Sequence, residues 1–211
     1  MTETIDLDVL RDELLTLGAA TLYEASGWDT FLPAQIQPAW SGARVVGRAL
    51  PVRAAAGDNL PLHLAVEQAR PGEVLVVDAA GAPHGYWGEV LTTAAQYQGI
   101  LGLVIYGGVR DIDRLEELGF PAFSNWIALE GTLKDDPGTV GDTIRIGKAT
   151  ISRGDIVVAD RDGVAVIPAG RFPEVLESAR ARAVKEAQYM ERIRGGELTM
   201  DLYSLRSPAV S

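Results

Sequence analysis

Three short apolar segments separated by two helix-like segments are the feature that most limits how this chain can fold. The apolar segments are "EVLVVDA" (Glu73–Ala79), "ILGLVIY" (100–106) and "PAFSNWI" (121–127). Between them, "WGEVLTTAAQYQG" and "DIDRLEELG" have the spacing of apolar residues that is typical of helices. Because strands and helices that alternate at this length build parallel βαβ units, the sequence predicts an α/β fold with a parallel sheet.

The flanking segments predict further helices and a β-rich region within the same domain. Leucines at three- and four-residue spacing predict a helix from Asp6 to Leu17, followed by a second short helix after Gly18. Short β-rich runs with frequent turn signals follow Gly131, and the periodicity of residues 172–193 predicts a long final helix. No linker or repeat divides the chain, so we expect residues 1–211 to form one domain.

Composition excludes several classes of function. The formal net charge is −10, and no basic run is available to neutralise the phosphates of a nucleic acid or an anionic membrane. Cysteine is absent, which excludes disulfides, thiolate nucleophiles and cysteine-ligated zinc. The acidic N-terminus is unlike a signal peptide, and no apolar run reaches the ~18 residues of a membrane span. We therefore expect a cytoplasmic protein that binds neither nucleic acid nor membrane.

Candidate chemistry lies where two predicted strands end. The loop "DAAGAPHGYWGEV" leads to Glu89, and "YGGVRD" leads to Arg110 and Asp111 after a tight turn predicted at Gly107-Gly108. Ligands of parallel sheets collect at the carboxyl ends of the strands, so both loops are expected to open on one crevice. Arginine suits a carboxylate, and aspartate suits Mg²⁺, which retains several waters. An arginine on the carboxylate of a 2-oxo acid, with a metal on its keto oxygen, would stabilise an enolate.

Each of these residues also has an ordinary structural interpretation. An aspartate at a helix start is often a cap, and adjacent Arg-Asp residues often form a weak surface pair, so both readings of Arg110-Asp111 stay open from chemistry alone. His84 is as easily solvated as functional, and His63 is interpreted as structural. Asp113 is offset from Asp111 by about 200° of helix and is interpreted as a solvated residue.

The longer motifs resemble the RraA-like family. They are "GDNLPLHLAVEQARPGEVLVVDAAG", "WGEVLTTAAQYQGILGLVIYGGVRDIDRLEELGFPAF" and "VGDTIRIGKATISRGDIVVADRDGVAVIP", and the similarity runs from about residue 21 to about residue 194. The family includes class II pyruvate aldolases that act on 4-hydroxy-4-methyl-2-oxoglutarate and 4-carboxy-4-hydroxy-2-oxoadipate. The resemblance implies a layered α/β sandwich of the swivelling-domain type and an assembly as a homotrimer or a dimer of trimers.

The resemblance also implies a role for each matching residue. Arg110 matches the arginine that holds the pyruvyl carboxylate and the enolate, and Asp111 matches the direct ligand of Mg²⁺, Mn²⁺ or another divalent metal. Glu89 matches an acid that contacts metal-bound water and helps proton transfer. The backbone amides of the segment Gly88, Glu89, Val90 and Leu91 match the cradle of the substrate carboxylate. A glutamate of a neighbouring subunit also reaches the metal waters; Glu186 is the best match, with Glu191 as the alternative.

The implied activity is cleavage of a 4-hydroxy-2-oxo acid to pyruvate, with oxaloacetate decarboxylation through the same metal-stabilised pyruvate enolate. The alternative is a non-catalytic regulator of ribonuclease activity that binds a protein partner, because the member that names the family has that role. That member lacks the aspartate after the arginine. The presence of Asp111 here favours the lyase.

Overall fold

The computed structural model describes residues 6–27 and 29–206. The helices are α1 (Leu7–Ser26), α2 (Leu60–Gln68), α3 (Glu89–Tyr97), α4 (Ile112–Glu117), α5 (Phe172–Arg194) and α6 (Thr199–Leu202), with a 3₁₀ turn at Ala169–Arg171. The strands are β1 (Gln37–Pro38), β2 (Val45–Arg53), β3 (Glu73–Asp78), β4 (Gly85–Trp87), β5 (Gly102–Val109), β6 (Ala122–Ile127), β7 (Thr139–Val140), β8 (Ile144–Ile146), β9 (Ala149–Ile151), β10 (Ile156–Asp160) and β11 (Gly163–Ile167).

One mixed sheet organises the molecule, in the strand order β1-β6-β5-β3-β2-β10-β11. Its central strands β2, β3, β5 and β6 are parallel, and α2, α3 and α4 connect them in turn. The edge strands β1, β10 and β11 are antiparallel to their neighbours, and β8 and β9 form a separate hairpin. The structure therefore confirms the predicted α/β fold with parallel βαβ units, and it confirms the predicted β-rich region after residue 131.

Both faces of the central strands are covered, which explains their uninterrupted apolar sequences. In β3, Leu75 and Val77 pack with buried residues of α2, α3 and α4. The alternate residues Val74 and Val76 pack on the opposite face with the β8–β9 hairpin. α1 and the first half of α5 cover β10 and β11 on the same face as α2, α3 and α4: Val46 of β2 packs with α1 and α5, and Leu50 and Val52 of the same strand face pack with α2. The result is the layered arrangement that the sequence resemblance implies.

The predicted turn at Gly107-Gly108 is wrong, because β5 continues through both glycines to Val109. A Cβ atom on Gly108 would lie 2.4 Å from the carbonyl oxygen of His84, and one on Gly107 would lie 2.9 Å from Cβ of Ala79. The glycines therefore serve close packing rather than a change of direction. His84 immediately precedes β4, a short strand that pairs with the end of β5 inside what the sequence predicted as a loop.

The predicted break at Gly18 is confirmed inside α1. Gly18 has φ 78° and ψ 164°, so the helix is interrupted there and starts again at Ala19. The side chain of Asp160, at the end of β10, accepts a hydrogen bond from the Ala19 N–H at 2.8 Å. This carboxylate caps the second part of α1 from a strand 141 residues away in the chain.

The final helix is buried along only part of its length. Its buried residues are Phe172, Val175, Leu176 and Ala179, whereas the predicted apolar face continues to Met190, which is 48% exposed. The second half of α5 and the following α6 carry several exposed large apolar side chains: Val184, Met190, Ile193, Leu198, Met200 and Tyr203. Across residues 6–27 and 29–206, no helix has the length and apolar character required to cross a membrane.

Replacing Asp160 with alanine should lower the free energy of unfolding by about 1 kcal/mol, because the Ala19 N–H loses its capping acceptor. Denaturant unfolding followed by circular dichroism measures the change. Asp142→Ala is the matched control, since Asp142 is exposed and accepts no hydrogen bond from any residue that the structure describes. Equal stability of the Asp160 variant and the wild type would show that the cap contributes nothing.

Candidate active site

A solvent-open cavity of about 240 Å³ lies beyond the ends of β4 and β5. Its wall is formed by α2, the β4–α3 segment, the β5–α4 junction and the loop after β6. The lining residues are Asn59, His63, Gly85, Tyr86, Trp87, Gly88, Val90, Leu91, Arg110, Asp111 and Lys134. The structure thus brings together Arg110, Asp111 and the start of α3, as the sequence predicted for the two loops.

Asp111 is directed toward the start of α3 rather than toward its own helix. It has a left-handed backbone (φ 58°, ψ 40°), and its side chain makes no capping bond in α4. Its Oδ2 accepts a hydrogen bond from the Glu89 N–H at 3.0 Å. Left-handed conformations are uncommon outside glycine and concentrate at functional sites. The ordinary interpretation of Asp111, as the cap of the helix that it begins, is therefore wrong.

Two glycines leave room for this approach. A Cβ atom on Gly88 would lie 2.2 Å from Oδ2 of Asp111, and one on Gly85 would lie 2.6 Å from the carbonyl oxygen of Ala128 and 3.1 Å from Cδ of Arg110. Both glycines are extended rather than left-handed, so the reason for glycine here is the space and not the backbone angle.

Arg110 is anchored by its backbone and open at its side chain. Its N–H donates to the carbonyl oxygen of Trp87 at 2.8 Å, which joins β5 to β4. Its side chain is 46% exposed, and the nearest carboxylate oxygen, Oδ2 of Asp111, lies 4.0 Å from Nε. A contact of that length and exposure is weak. The guanidinium is therefore available to bind an anion in the cavity.

Glu89 lies between Gly88 and Val90, which line the cavity, but is not itself a lining residue, and its side chain is held by Arg114. Nε and Nη2 of Arg114 donate to Oε1 of Glu89 at 3.1 and 2.9 Å, and Arg114 also pairs with Glu117. The hydrogen bonds and the charge of Glu89 raise the pKa of Arg114. With Oε1 occupied, Oε2 is the oxygen that Glu89 can offer to a water or a ligand.

Three cavity residues that come from outside the two predicted loops were not predicted as site residues: Asn59, His63 and Lys134. From the sequence, Asn59 at the start of α2 could either cap that helix or lie near the site, and His63 was interpreted as structural; both line the cavity. Burial lowers the pKa of His63, and the nearby charge of Lys134 lowers it further. Lys134 lies in the polar segment "LKDDPG", where the sequence carries no signal that distinguishes it from a solvated lysine.

Other predicted residues lie outside the cavity of their own chain. His84 packs against Tyr86, with ring centroids 6.0 Å apart, and does not line the cavity. Glu186 pairs with Arg182 along α5 at 2.8 Å, and neither Glu186 nor Glu191 lines the cavity. Asp113 is exposed in the first turn of α4 and also lies outside the cavity lining, which agrees with its predicted position.

The carboxylates at this site fit a hydrated Mg²⁺ ion better than a metal enclosed by protein. Within residues 6–27 and 29–206, no group of three or more histidine or carboxylate side chains could enclose a metal. Asp111 offers Oδ1, which accepts no hydrogen bond from any described residue, and Glu89, whose N–H bonds to Asp111 Oδ2, has Oε2 free of Arg114. Mg²⁺ retains several waters and often needs only one or two protein carboxylates. These two side chains are a suitable partial set for that ion.

A second cavity of about 240 Å³ lies between α1 and β11, and it is much less polar. Its wall is mainly apolar, with Tyr23, Phe31, Leu32 and Val164, and Asp162 is the one ionisable acid in its lining. It has no cluster of charged groups that could bind and activate a small anion. The cavity with Arg110 and Asp111 is therefore the better candidate for chemistry.

Comparisons with known proteins agree on one family. The model of the RraA-like family, described as Aldolase/RraA, matches residues 19–166. A protein of Halalkalibacterium halodurans, named as a candidate 4-hydroxy-4-methyl-2-oxoglutarate aldolase, is 34% identical over 79% of this chain and 80% of its own length.

Two solved structures are similar across most of the chain. An uncharacterised protein of Pseudomonas syringae pv. tomato is 30% identical, with a TM-score of 0.83 over 98% of this chain and 97% of its own. Streptomyces coelicolor RraAS2, described as an unusual member of the RNase ES inhibitor RraA family, is 27% identical, with a TM-score of 0.76 over 90% of this chain and 100% of its own.

Gly88→Ala should displace Asp111 and lower the free energy of unfolding by about 1–3 kcal/mol, because the new Cβ would overlap Oδ2. Gly170→Ala is the matched control, since a Cβ on Gly170 meets nothing within 4 Å. Denaturant unfolding of both variants, with a crystal structure of the Gly88 variant, measures the effect. An unchanged Asp111 position and unchanged stability would contradict the proposed packing.

Proposed function

The chain belongs to the RraA-like family, and we propose that it is a divalent-metal-dependent lyase that cleaves 4-hydroxy-2-oxo acids to pyruvate and a second oxo acid. The observation that carries the proposal is the cavity itself, in which an open guanidinium, a left-handed aspartate and the start of α3 converge. The similarity to a protein named as a candidate 4-hydroxy-4-methyl-2-oxoglutarate aldolase supports this substrate class.

Each side of the cavity can take one part of the reaction. The guanidinium group of Arg110 would bind the carboxylate of the pyruvyl unit and stabilise the negative charge that develops on the neighbouring keto oxygen. The first-turn N–H groups of α3, at Val90 and Leu91, have no partners inside the helix, and because both residues line the cavity these groups could donate to a substrate carboxylate. Asp111 would hold the metal directly and Glu89 would hold it through water; when bound, the metal supplies Lewis-acid polarisation of the keto oxygen.

The proposed reaction breaks the C3–C4 bond of the substrate. Loss of the proton from the C4 hydroxyl forms the second carbonyl, and the electron pair of the broken bond forms the pyruvate enolate. A proton delivered to C3, relayed through Oε2 of Glu89, completes pyruvate. Oxaloacetate gives the same enolate when its C3–C4 bond breaks and carbon dioxide leaves, so one site would catalyse both reactions.

We further propose that the active form is a homotrimer or a dimer of trimers in which Glu186, or alternatively Glu191, of a neighbouring subunit approaches the metal waters. The exposed apolar residues of α5 and α6 support an assembly, because exposed apolar surface of this kind often marks a protein interface. The carboxylate pair of a single chain is also a partial donor set, which a neighbouring glutamate would extend.

The second candidate function is a non-catalytic regulator that binds a protein partner. The similarity to RraAS2 favours it. The open Arg110 guanidinium and the side chain of Asp111 in a cavity favour the lyase, because a docking surface has no need of either. Recovery of an RNA-processing enzyme in a pull-down, together with no lyase activity, would favour the regulator.

Purified protein with Mg²⁺ should release pyruvate from both oxaloacetate and 4-hydroxy-4-methyl-2-oxoglutarate, and a chelator should abolish the release. A coupled lactate dehydrogenase assay measures pyruvate. If neither substrate releases pyruvate with Mg²⁺ or with Mn²⁺, the proposed lyase is excluded. Release that persists in the presence of a chelator would exclude a requirement for a divalent metal.

Asp111→Ala should abolish pyruvate release. Arg110→Lys should lower kcat/KM by about 100-fold, because lysine cannot donate two parallel hydrogen bonds to one carboxylate. Asp113→Ala is the matched control, since Asp113 is an exposed acid of the same helix. The pyruvate assay with circular dichroism as a folding check measures these effects. Loss of activity in the Asp113 variant equal to that in the Asp111 variant would contradict the assignment.

Light scattering should give a mass of three or six times the 22.5 kDa chain. Met190→Glu should dissociate the assembly, because a charge in a packed apolar interface loses its hydration without gaining a partner. Leu129→Glu is a control at an equally apolar but distant exposed position, at 88% exposure outside α5 and α6. A monomeric wild type would contradict the proposed assembly.

A further inference from the structure

We infer that Arg114 is a positioning residue, which directs the Glu89 carboxylate toward the waters of the proposed metal. The inference rests on the proposed function and deepens it, because it names the side chain that orients the acid of the proton relay. Arg114 follows Asp111 by three residues and does not line the cavity, so it would act through Glu89 and not on the substrate.

Hydrogen bonds join Arg114, Glu89 and Asp111 in a closed ring. The Arg114 N–H donates to the carbonyl oxygen of Asp111 at 3.0 Å, and the Glu89 N–H donates to Oδ2 of Asp111 at 3.0 Å. Nε and Nη2 of Arg114 close the ring, because they donate to Oε1 of Glu89 at 3.1 and 2.9 Å. Glu89 is therefore held at its backbone by Asp111 and at its carboxylate by the helix that Asp111 precedes.

The Glu89 side chain needs such a contact to keep one direction. It is 43% exposed, and an exposed glutamate can adopt several rotamers, of which only some point toward α4. The two donors of Arg114 select a rotamer that does so. Both donors bond to Oε1, so Oε2 is left for a water or a ligand.

The charge around Glu89 gives a second reason for a cation at position 114. Residues 111–117 have the sequence "DIDRLEE", with four acids and one arginine, and Glu89 adds a further carboxylate whose N–H is bonded to Asp111. Like charges repel, so without the arginine the Glu89 carboxylate would turn away from this acidic segment. Arg114 opposes that repulsion at the point where the two segments meet.

An ordinary surface pair with Glu117 does not account for the arrangement. Glu117 lies three residues after Arg114 in α4, a spacing at which such pairs are common and weak. It contacts one nitrogen of the guanidinium group, Nη1, whereas the other two nitrogens bond to Glu89, which is 25 residues away in the chain. The two arginines of this segment thus differ in role: Arg110 stays open to the cavity, and Arg114 is occupied by carboxylates.

Titration with Mn²⁺ separates an orienting role from a simple effect of charge. Arg114→Met removes a cation, so if only charge mattered, the variant would bind Mn²⁺ more tightly. If Arg114 orients Glu89, the variant should bind Mn²⁺ about tenfold more weakly, which is typical when an outer partner of a metal site is lost. Isothermal titration calorimetry measures the dissociation constant, and circular dichroism checks the fold.

A double-mutant cycle tests whether Arg114 acts through Glu89. In a Glu89→Gln background, Arg114→Met should no longer weaken Mn²⁺ binding, because the carboxylate that Arg114 orients is absent. Arg114→Lys keeps the charge and one donor, so its affinity should lie between those of the wild type and Arg114→Met. Arg171→Met is the matched control, since Arg171 also pairs with a glutamate three residues later and lies outside the cavity lining. It should leave the affinity unchanged.

Exchange of the C3 protons of pyruvate with deuterium oxide is the second readout. In this reaction a C3–H bond breaks, its electron pair forms the enolate, the proton passes to solvent through Glu89, and a deuteron returns to C3. With Mg²⁺ present, Arg114→Met should lower the maximal exchange rate about tenfold. The KM for pyruvate should stay unchanged, because Arg110 is untouched. Nuclear magnetic resonance measures both quantities.

The outcomes separate this inference from the proposed function. Mn²⁺ affinity that is unchanged or higher in Arg114→Met, or an equal loss in the Glu89→Gln background, would overturn the role of Arg114 and leave the lyase in place. A loss of Mn²⁺ affinity that requires Glu89, without pyruvate release by the wild type, would keep the role of Arg114 and overturn the lyase. A wild type that binds no Mn²⁺ would overturn both.

Discussion

The hydrogen bond from the Glu89 N–H to Oδ2 of Asp111 is the contact on which the arrangement of the site depends. It joins the start of α3 to the junction between β5 and α4, two segments that belong to successive βαβ units. Gly88 makes the contact possible, because any side chain there would occupy the position of the carboxylate. Asp111 has a left-handed backbone in this arrangement, a conformation that costs free energy for residues other than glycine.

Much of the fold and the centre of the site could be predicted because their signals are local. The apolar runs of β3, β5 and β6 are visible without knowledge of their neighbours, since a strand buried on both faces needs apolar residues at every position. The position of Arg110 and Asp111 beside the start of α3 could be predicted because they directly follow such a strand. The role of Gly107 and Gly108 could not be read from the sequence, because it depends on β4 packing against β5.

Lys134 and Asn59 illustrate the opposite case. They come from separate parts of the chain, and a set of hydrogen bonds around Asp58 brings them together. The carboxylate bonds of Asp58 are to backbone N–H groups, which every residue except proline possesses, so the partners have no sequence signature. His63 was interpreted as structural for the same reason: its place on the cavity wall depends on where the Lys134 loop lies.

Hydrogen bonds around Asp58 fix the loop that carries Lys134 on the cavity wall. Asp58 Oδ2 accepts hydrogen bonds from the N–H groups of Asp135 and Asp136, and the backbone of Leu133 bonds to Gly57 and Asn59. Because the groups held in this loop are backbone groups, the path of the loop does not depend on the side chain at position 134. A substitution at position 134 would therefore change one charge on the cavity wall without moving the loop, and Arg110 and Asp111, which belong to another segment, would keep their places.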